Sequence, residues 1–412
     1  MAFGGSGILK EDQFVLFVPF SAIGDTISCQ ITELKKSYGK AKLLEILDKS
    51  LLREKPKCRY FEQCGGCQLQ HLQYKAELEQ KRVWIQEALE KIGGFKGVAV
   101  GDVHPSPQEY HYRRHITLTL EKRGKEKAFA GYHAFDSKDL IKIEECPIFI
   151  EKENLLLKEI QSFVEELELK ENDAKLDVIK KDLKYLLHFH FKIFPKNAEI
   201  IAKKFLENNP NIKGIILGSP KKNVSFGTTG SSLIMDGLNF HFSSSAFMQN
   251  NREQSLKIYL HLLELVKQKN PGDILDLYCG IGISSLLMAK EGVKVTGVEY
   301  SRSCIKAAIQ NAKENKITSA EFIHAKAEDA LEKLNIPEFV IANPPREGLD
   351  IKVIEALKEK LPQTIVYISC MPTTLARDLK LLSEFYEIES CTPYDMFPKT
   401  THVETLVLLK RL

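Results

Sequence analysis

Short apolar runs separated by turn residues fill the first fifty positions of the chain. The runs FVLFVPF, DTISCQIT and KAKLLEIL have strand-like composition, and turn residues lie between them. Repeated short strands at this spacing favour a small barrel of the OB type. We therefore predict an OB-like barrel over residues 1–52, and we expect its first strand to be missing.

The next segment combines cysteines with a helical pattern. Three cysteines fall within residues 58–67, beside two glycines. After them, apolar side chains recur at helical spacing and lie largely on one side, namely Leu78, Trp84, Ala88, Leu89 and Ile92. We predict that residues 53–92 form a cysteine-rich loop followed by a helix with one buried face.

Residues 93–242 mix strand-like and helical patterns. The strand-like runs are HITLTL, YLLHFHFKIF, IKGIILGS and SLIMDGLNFHF, and an acidic amphipathic helix is predicted near residues 151–166. This mixture predicts a central α+β domain. His188 and His190 alternate along one strand, and we interpret them as structural because no ligand-type residue adjoins them in the sequence.

Residues 243–412 alternate β and α patterns strictly. The strand-like runs are DILDLYCG, VKVTGVEY, AEFIHAKA, FVIANPP, TIVYISC and HVETLVLLK, with helical stretches between them. This alternation predicts an α/β fold with a doubly wound, Rossmann-like sheet, in which ligands bind at the carboxyl ends of the strands.

Composition and charge change this picture only locally. Hydrophobic residues make up 43% of the 412 residues, which is enough for ordinary globular cores. The formal net charge is only +3, but Lys and Arg concentrate between residues 31 and 60, which indicates either a polyanion-binding patch or a solvated charged face. No targeting segment and no uncharged run of about 18 residues is present, so we expect a cytoplasmic protein without membrane spans.

Cysteine usage indicates metal chemistry. The chain has nine cysteines and no signal-peptide pattern, which favours thiols, metal ligands or catalysis over disulfides. The spacing C-x5-C-x2-C places Cys58, Cys64 and Cys67 on one loop, and Cys146 in EECPI supplies a distant fourth thiolate. Four thiolates suit either zinc or an iron–sulfur cluster, and the spacing alone does not separate the two.

A glycine-rich turn follows the first strand of the C-terminal domain. In DLYCGIG, Gly280 and Gly282 let the backbone approach a cofactor at a helix start, and Glu299 at the end of the next strand could bind a ribose. A dinucleotide-binding oxidoreductase fits this pattern equally well, except that Ser285 stands where its third glycine would be. The turn therefore predicts a nucleotide cofactor without fixing which one.

Three later strand ends carry polar or reactive side chains. The tetrapeptide NPPR at residues 343–346 ends the fourth strand, where two prolines hold the flanking polar side chains over the site. An aromatic residue after Asn-Pro-Pro would indicate methylation of an exocyclic amine, but Arg346 stands there. Cys370 closes TIVYISC and Glu404 lies in the last apolar run. A thiol nucleophile with a carboxylate base suits covalent attack on an electron-poor ring.

Together these motifs resemble one protein family. DLYCGIG, NPPR, YISCMP and HVETLVLL, in this order and behind C-x5-C-x2-C and EECPI, are similar to the RNA uracil-5-methyltransferase family. Within it, the chain resembles the branch with an N-terminal TRAM (OB-like) domain and a 4Fe-4S cluster. The resemblance covers nearly the whole chain. It implies S-adenosylmethionine as methyl donor and a uridine in structured RNA as acceptor, with 23S rRNA preferred over tRNA and no protein partner.

The resemblance also implies roles for single residues. Cys370 would be the nucleophile and Glu404 the base, and the four cysteines would hold the 4Fe-4S cluster. The donor would be contacted by Gln249, Tyr278 and Glu299, to which the motifs add Gly280 and Asn343. Arg346 is predicted to lower the pKa of Cys370 and to contact the substrate, and Phe247 is predicted to stack on a flipped base.

Three features depart from the family pattern. The family usually has Asp-Pro-Pro-Arg, whereas this chain has Asn343, whose amide keeps an acceptor oxygen but carries no charge. Lys326 stands where the family often has an Asp or Asn near the adenine, and the barrel is short at its start. An RNA-binding protein with an inactive methyltransferase domain is therefore one alternative, and an exocyclic-amine RNA methyltransferase is another.

Covalent catalysis has a chemical reason in this case. Carbon 5 of uracil is a poor nucleophile, and addition of a thiolate to carbon 6 makes it electron-rich. Both faces of the ring are used, so the target base must leave its stack. The basic stretch at residues 35–59, which contains Tyr38, and the nearby Tyr60, Arg113 and Arg114 are predicted to grip the RNA.

Overall fold

The structure, a computed structural model, describes residues 1–150, 155–170, 172, 174–181, 183–243 and 249–412. Its first sheet has the strand order β1-β2-β4-β3 and contains β1 (Ser6–Glu11), β2 (Phe14–Pro19), β3 (Thr26–Leu34) and β4 (Tyr38–Asp48). The last three coincide with the runs predicted as strands. The sheet is joined to the next segment by a small apolar cluster of Ala22, Leu69, Leu72 and Trp84.

The cysteine-rich loop leads into α1 (Tyr74–Ala88), which continues as one π-helical turn over Leu89–Gly93. Trp84, at the middle of the predicted apolar stripe, is buried. Ile92, at the end of that stripe, is 39% exposed, because the wider π turn changes the direction in which its side chain points. Gly94 then ends the turn in the left-handed conformation, at φ 77°.

The central domain is built on a seven-stranded sheet of order β11-β10-β9-β8-β5-β6-β7. Its strands are β5 (His115–Glu121), β6 (Phe129–His133), β7 (Leu140–Lys142), β8 (Ala174–Lys181), β9 (Lys184–His190), β10 (Ile212–Gly218) and β11 (Asn223–Gly227). One face packs against α2 (Leu155–Glu166) and α3 (Ala198–Asn208) in a continuous apolar core. Because side chains alternate between faces, the polar residues Asp177, His188 and His190 lie together on the other face.

A hairpin links the central domain to the C-terminal domain. It consists of β12 (Ser231–Met235) and β13 (Leu238–Phe242), and its apolar residues Leu233 and Phe240 belong to the core of the C-terminal domain. The backbone N–H of His241 also donates to the Asn311 side chain at 2.7 Å. This run lies within residues 93–242, yet it packs on the C-terminal domain.

The C-terminal domain has a second seven-stranded sheet, of order β16-β15-β14-β17-β18-β20-β19. Its strands are β14 (Asp273–Leu277), β15 (Lys294–Glu299), β16 (Ala320–His324), β17 (Phe339–Ala342), β18 (Thr364–Ser369), β19 (Tyr386–Tyr394) and β20 (Glu404–Arg411). The helices are α4 (Arg252–Lys269), α5 (Ile283–Lys290), α6 (Arg302–Glu314), α7 (Ala327–Lys333), α8 (Ile351–Lys360) and α9 (Pro372–Leu382).

Strands β14 to β18 are mutually parallel, and apolar cores lie on both faces of the sheet. The predicted doubly wound sheet is therefore confirmed. β19 was not predicted, and β20 runs antiparallel to both of its neighbours. Sequence order reverses between β14 and β17, and the crevice at such a reversal is where open α/β sheets bind ligands. No helix within the described part of the chain is long and apolar enough to cross a membrane.

Candidate active site

The turn after β14 has the backbone geometry that its glycines predict. Gly280 and Gly282 have φ angles of 57° and 81°, in the left-handed region that favours glycine, and Gly282 is the N-cap of α5. Tyr278 shares this conformation at φ 63°. A Cβ built on Gly280 would meet no atom within 4 Å, so the space beside this residue is open for a ligand.

Two carboxylates support this turn. Glu299, at the end of β15, accepts hydrogen bonds from the backbone N–H of Gly280 at 3.2 Å and of Ser301 at 2.6 Å. Asp276 is buried in β14, and burial raises the pKa of its carboxyl to about 6. Ser285, which replaces the third glycine of a dinucleotide motif, donates its hydroxyl to Asp276 at 2.6 Å. Ser285 thus helps to hold the glycine turn through its hydrogen bond to Asp276.

Lys326 lies beside Tyr300, next to the end of β15. It forms the N-cap of α7, and its Nζ is 3.7 Å from Glu328 Oε1 and 5.9 Å from the centre of the Tyr300 ring. Tyr300 directly follows Glu299 and is 67% exposed. A flat aromatic surface therefore lies next to the carboxylate that the motif predicts for a ribose.

Asn343 lies across the reversal point from the glycine turn. Its backbone N–H donates to Leu277 O of β14 at 3.4 Å, so β14 and the NPPR segment are adjacent. Gln249 lines a separate cavity, which also contacts Ile283 at the start of α5. Phe247 lies outside the described residues.

Cys370 and Glu404 are brought together by antiparallel pairing. Ser369 of β18 is paired antiparallel with Thr405 of β20, so Cys370, one position after Ser369, and Glu404, one position before Thr405, lie at the same end of the sheet. Cys370 is half-buried, whereas Glu404 is only 4% exposed. Two residues that are 34 positions apart in the sequence therefore form one site.

The charge state of Cys370 differs from the prediction. Burial and the nearby Glu404 carboxylate raise the pKa of the thiol to about 11, although the Arg346 guanidinium lowers it. The predicted lowering by Arg346 is present but is smaller than the cost of placing a thiolate in a half-buried site beside a carboxylate. Burial likewise raises the pKa of Glu404 to about 7, again opposed by Arg346.

His402 is a site residue that the sequence analysis missed. Its Nε2 lies 3.3 Å from Arg346 Nη2, and burial with the adjacent Arg346 charge lowers the pKa of its imidazole to about 4. A neutral His402 accepts a hydrogen bond from Arg346. Thr374 Oγ1 also donates to the backbone O of Arg346 at 3.1 Å. Arg346 is therefore held at its backbone and at its guanidinium. The position of His402, two residues before Glu404, was the available signal.

The four predicted metal-ligating cysteines surround one cavity of about 180 Å³, which lies between the cysteine-rich loop and the central sheet. Cys146 is buried, and the others are partly buried. Burial and the neighbouring thiols raise the pKa of Cys146 to about 12 and also raise the pKa of Cys64 and Cys67, whereas burial and the Glu145 carboxylate raise the pKa of Cys58. Gly66 N–H donates to Cys64 Sγ at 3.4 Å.

The spacing of these sulfurs bears on the metal. Zinc holds four thiolates about 3.8 Å apart, since Zn–S bonds are about 2.3 Å and tetrahedral. In the described ranges, one group of three His, Cys, Asp or Glu side chains has its ligand atoms within 4.8 Å of one another, and that group contains none of these cysteines. No three of the four sulfurs therefore lie within 4.8 Å of one another. An iron–sulfur cube binds each thiolate to a different iron and holds them further apart. Four thiols around one cavity are a donor set that an iron–sulfur cluster accepts.

The predicted RNA-gripping residues are dispersed. Arg113 and Tyr60 line the cysteine cavity, and Arg59 forms ion pairs with Glu144 and Glu145, each at 3.3 Å. An open groove of about 690 Å³ lies between the N-terminal sheet and the cysteine-rich loop, with Lys40 and Lys42 on its wall.

Comparison with known proteins identifies the family of the chain. A family model described as tRNA (uracil-5-)-methyltransferase matches residues 73–412. An uncharacterized RNA methyltransferase of Protochlamydia amoebophila is 43% identical over 100% of this chain and 96% of its own length. One of Clostridium acetobutylicum is 34% identical over 99% of this chain and 95% of its own.

A solved structure agrees with the sequence matches. The Pyrococcus abyssi tRNA (uracil-54, C5)-methyltransferase, in complex with S-adenosyl-L-homocysteine, is 27% identical with a TM-score of 0.74. The match covers 99% of this chain and 97% of that one, so the similarity includes the N-terminal sheet as well as the methyltransferase domain. The chain belongs to the tRNA (uracil-5-)-methyltransferase family and is an RNA methyltransferase of the uracil-5 type.

Proposed function

We propose that the protein transfers the methyl group of S-adenosylmethionine to carbon 5 of a uridine in structured RNA, through a covalent bond between Cys370 and the uracil ring. The observation that carries this proposal is the convergence of Cys370, Glu404 and Arg346 at the strand ends beside the NPPR segment. A nucleophile, a base and a cation then surround one space next to the reversal point of the sheet.

The donor site in this proposal consists of the glycine turn and its rim. S-adenosylmethionine, when bound, supplies an electrophilic methyl group on a positively charged sulfur. Glu299 is fixed by two backbone N–H groups and can accept hydrogen bonds from ribose hydroxyls. Gly280 leaves room for the ligand, and Tyr278 and Asn343 flank it at the two adjoining strand ends. The Pyrococcus relative supports this assignment, because it is in complex with S-adenosyl-L-homocysteine, the demethylated donor.

Cys370 reacts as the thiolate and bonds to carbon 6 of the ring. The electron pair of the carbon 5–carbon 6 double bond moves toward the ring oxygen, and carbon 5 becomes nucleophilic. With a thiol pKa of about 11, only a small fraction is ionised at neutral pH in the free protein. Arg346 and the N-terminus of α9, which begins two residues after Cys370, stabilise the anion as it forms.

Glu404 completes the reaction. After carbon 5 has accepted the methyl group, that carbon still carries its proton, and the carboxylate of Glu404 removes it. The electron pair then restores the double bond and expels Cys370 as the thiolate. A carboxyl with a pKa of about 7 is poised for this step near neutral pH, since a base works best when its pKa is near the working pH.

The acceptor is proposed to be a large folded RNA. The groove beside the N-terminal sheet has Lys40 and Lys42 together with Phe17, Phe20 and Phe135 on its wall, alongside Glu62 and Asp136, and its cationic and aromatic side chains support an RNA contact. Family members with both a TRAM-like domain and a cluster act on large-subunit rRNA or on tRNA, and of the two we prefer 23S rRNA from the sequence, whereas the Pyrococcus relative is a tRNA enzyme. Unmodified transcripts of both kinds are therefore the acceptors to test.

The test is transfer of labelled methyl groups, with C370A as the decisive variant. We expect 5-methyluridine from the wild-type protein and none from C370A. The matched control is C29A, which removes a half-buried cysteine in β3, far from the site. A transcript containing 5-fluorouracil lacks the proton that Glu404 removes, so it should leave an adduct with Cys370 that survives denaturation. Product formation by C370A would refute covalent catalysis, and an N-methylated nucleoside would favour the amine-methylating alternative.

We further propose that Cys58, Cys64, Cys67 and Cys146 hold a 4Fe-4S cluster with a structural or RNA-positioning role, because methyl transfer from a sulfonium needs no electron. The cavity of about 180 Å³ that all four thiols line supports this choice. Protein purified without oxygen should be brown and contain about four irons per chain. A colourless protein with one zinc ion per chain would overturn it, and the C146S variant should lose the colour.

A further inference from the structure

The outer face of the central sheet carries a second constellation of metal-ligating side chains, away from the four cysteines. His188 and His190 are two positions apart in β9, so both side chains point to the same face. The neighbouring strand β8 pairs Asp177 directly with His188. The ligand atoms of these three residues all lie within 4.8 Å of one another. The sequence interpretation of the two histidines as purely structural did not include Asp177, which is distant in the sequence.

The carboxylate of Asp177 is held in place by hydrogen bonds, as a carboxylate ligand of a metal commonly is. Its carboxylate accepts hydrogen bonds from His190 Nε2 at 2.8 Å, from His115 Nε2 at 3.0 Å and from Thr117 Oγ1 at 2.6 Å. Hydrogen bonds that orient a ligating carboxylate are a regular feature of metal sites. His115 and Thr117 would keep this role with a metal present, because they hold the carboxylate from the side opposite His190.

His188 supplies an independent observation. Its Nδ1 is buried and has no hydrogen-bond partner among the described residues, which is costly for a polar atom. Burial and the neighbouring His190 lower the pKa of His188 to about 4, so the ring is neutral at physiological pH. The rings of His188 and His190 are 4.0 Å apart. A neutral imidazole with a free lone pair is the form that binds metals.

Solvent can reach a fourth position beside His190, whose side chain is 44% exposed. The space beside Gly218 of β10, which pairs with His190, is filled by protein atoms, because a Cβ there would lie 2.9 Å from Asn223 Oδ1 and 3.5 Å from His188 Nε2. Lys175 of β8 pairs with His190 and is exposed, so its side chain can turn away into solvent.

We propose that Asp177, His188 and His190 form a divalent transition-metal site of the zinc class, with solvent at the open fourth position. Two imidazoles and one carboxylate with an open coordination site are a ligand set that zinc accepts. In this site the metal would replace the hydrogen bond between His190 and Asp177. The proposal is independent of the methyl-transfer chemistry.

The test measures zinc binding by equilibrium dialysis and by the shift in thermal unfolding, using full-length protein with its four cysteines intact. We expect the wild-type protein to bind one zinc equivalent more than H190A and D177N. The matched control is H241A, because His241 is a half-exposed histidine whose Nε2 also lies 2.8 Å from a carboxylate, that of Glu314, without a third ligand nearby. H241A should bind as much zinc as the wild type.

The four cysteines are intact in the wild type and in all three variants, so any zinc that they bind is the same in each protein. Only the difference in bound zinc between the wild type and a variant is compared. Zinc should raise the unfolding temperature of the wild type more than that of H190A. His190 is partly exposed, so H190A is expected to fold even if D177N does not. Equal zinc binding by the wild type and H190A would overturn the proposal and leave Asp177 as the centre of a hydrogen-bond network only.

Discussion

Glu404 is a buried carboxyl whose environment sets both its chemistry and its cost. It is 4% exposed, and its pKa is raised to about 7 chiefly by burial. Below that pH the folded protein carries a protonated Glu404, which cannot accept a proton from carbon 5. Above it, the charged form must be kept in a site that disfavours charge.

We predict that the rate of methyl transfer rises with pH through about 7, following ionisation of Glu404. E404Q should remove the inflection near pH 7, leaving only the rise that follows ionisation of Cys370, and should lower kcat by about 10²–10⁴-fold, the usual contribution of general-base catalysis. The measurement is the pH profile of kcat on a saturating RNA acceptor. An E404Q enzyme that keeps the wild-type profile would show that another group is the base.

The same residue predicts an effect on stability. A carboxyl whose pKa is higher in the folded state than in the unfolded chain binds its proton more tightly when folded, so stability falls as pH rises from about 4.5 to about 7. This loss approaches about 3 kcal/mol at pH 8. E404Q should show a smaller decline in the free energy of unfolding over that range, measured by urea denaturation. If the free energy of unfolding of E404Q fell with pH as steeply as that of the wild type, the pKa of the Glu404 carboxyl would not be raised in the folded protein.

Arg346 should tune the pH profile. Its guanidinium lowers the pKa of both Cys370 and Glu404, so R346A is expected to move the rise in rate to higher pH and to lower kcat. R346K keeps the positive charge and should retain most of the profile, although it loses the geometry of the contact with His402. If R346A and R346K give the same profile, the effect of Arg346 is steric and not electrostatic.

At this scale the sequence predicted which side chains meet, but not their charge states. Cys370 and Glu404 were recognisable from strand-end motifs, and the structure puts both at one sheet end. The raised pKa of Cys370 depends on burial and on a carboxylate 34 positions away, and neither is visible in a local pattern. His402 was missed because it contacts Arg346 only through the tertiary fold.

At the scale of elements, the loop between β17 and α8 positions Arg346. Asp378 in α9 is fully buried and accepts hydrogen bonds from Leu349 N–H at 2.8 Å and from Tyr367 Oη at 2.7 Å. Gly348 has φ 84°, and a Cβ there would collide with the Asp378 carboxylate. The loop, β18 and α9 are thus joined at one carboxylate.

We predict that D378N destabilises the protein by about 1–3 kcal/mol, because the amide places an N–H group against a donor. The displaced loop should also lower kcat. The control is D329N, which alters an exposed carboxylate in α7. Thermal unfolding and the methylation rate measure the two effects. Equal behaviour of the two variants would show that the loop holds its shape without Asp378.

The elements themselves were predicted unevenly. The parallel strands β14 to β18 have continuous apolar runs, and each was recognised. β19 has only an irregular alternation of buried and exposed positions and contains Glu387, Glu389 and Pro393, so its sequence is not typical of a strand. It becomes one because it pairs with β20 along nearly its whole length. Pairing of this kind is a tertiary effect that no local pattern reports.

At the scale of the whole molecule, a buried ionic network joins α1 to the segment that precedes β20. Lys81 Nζ donates to Glu77 Oε1 at 2.8 Å, to Asp395 Oδ1 at 2.7 Å and to Phe397 O at 3.2 Å. Lys399 extends the network, with Nζ 2.9 Å from both Glu54 Oε1 and Glu109 Oε2. Both lysine side chains are fully buried.

We predict that K81A lowers the free energy of unfolding by about 3–5 kcal/mol, because it leaves buried carboxylates without their cation. The same helical region offers a matched control in Lys91, whose Nζ lies 3.0 Å from Glu87 Oε1 at the same i,i+4 spacing but on the surface. K91A should cost only about 0.3–0.5 kcal/mol. Urea unfolding of both variants measures the difference, and similar costs would contradict the importance of burial.

The segment before β20 also bonds to the cysteine-rich loop. Lys399 O accepts from the backbone N–H of Gln68 and Leu69, at 3.2 and 3.1 Å, immediately after Cys67. Five residues further along the chain is Glu404. Oxygen damage or iron starvation that disorders the four thiols would therefore reach the base through a few peptide units. If the four thiols hold the proposed 4Fe-4S cluster, RNA methylation by this protein is expected to follow the iron status of the cell, although no electron takes part in the reaction.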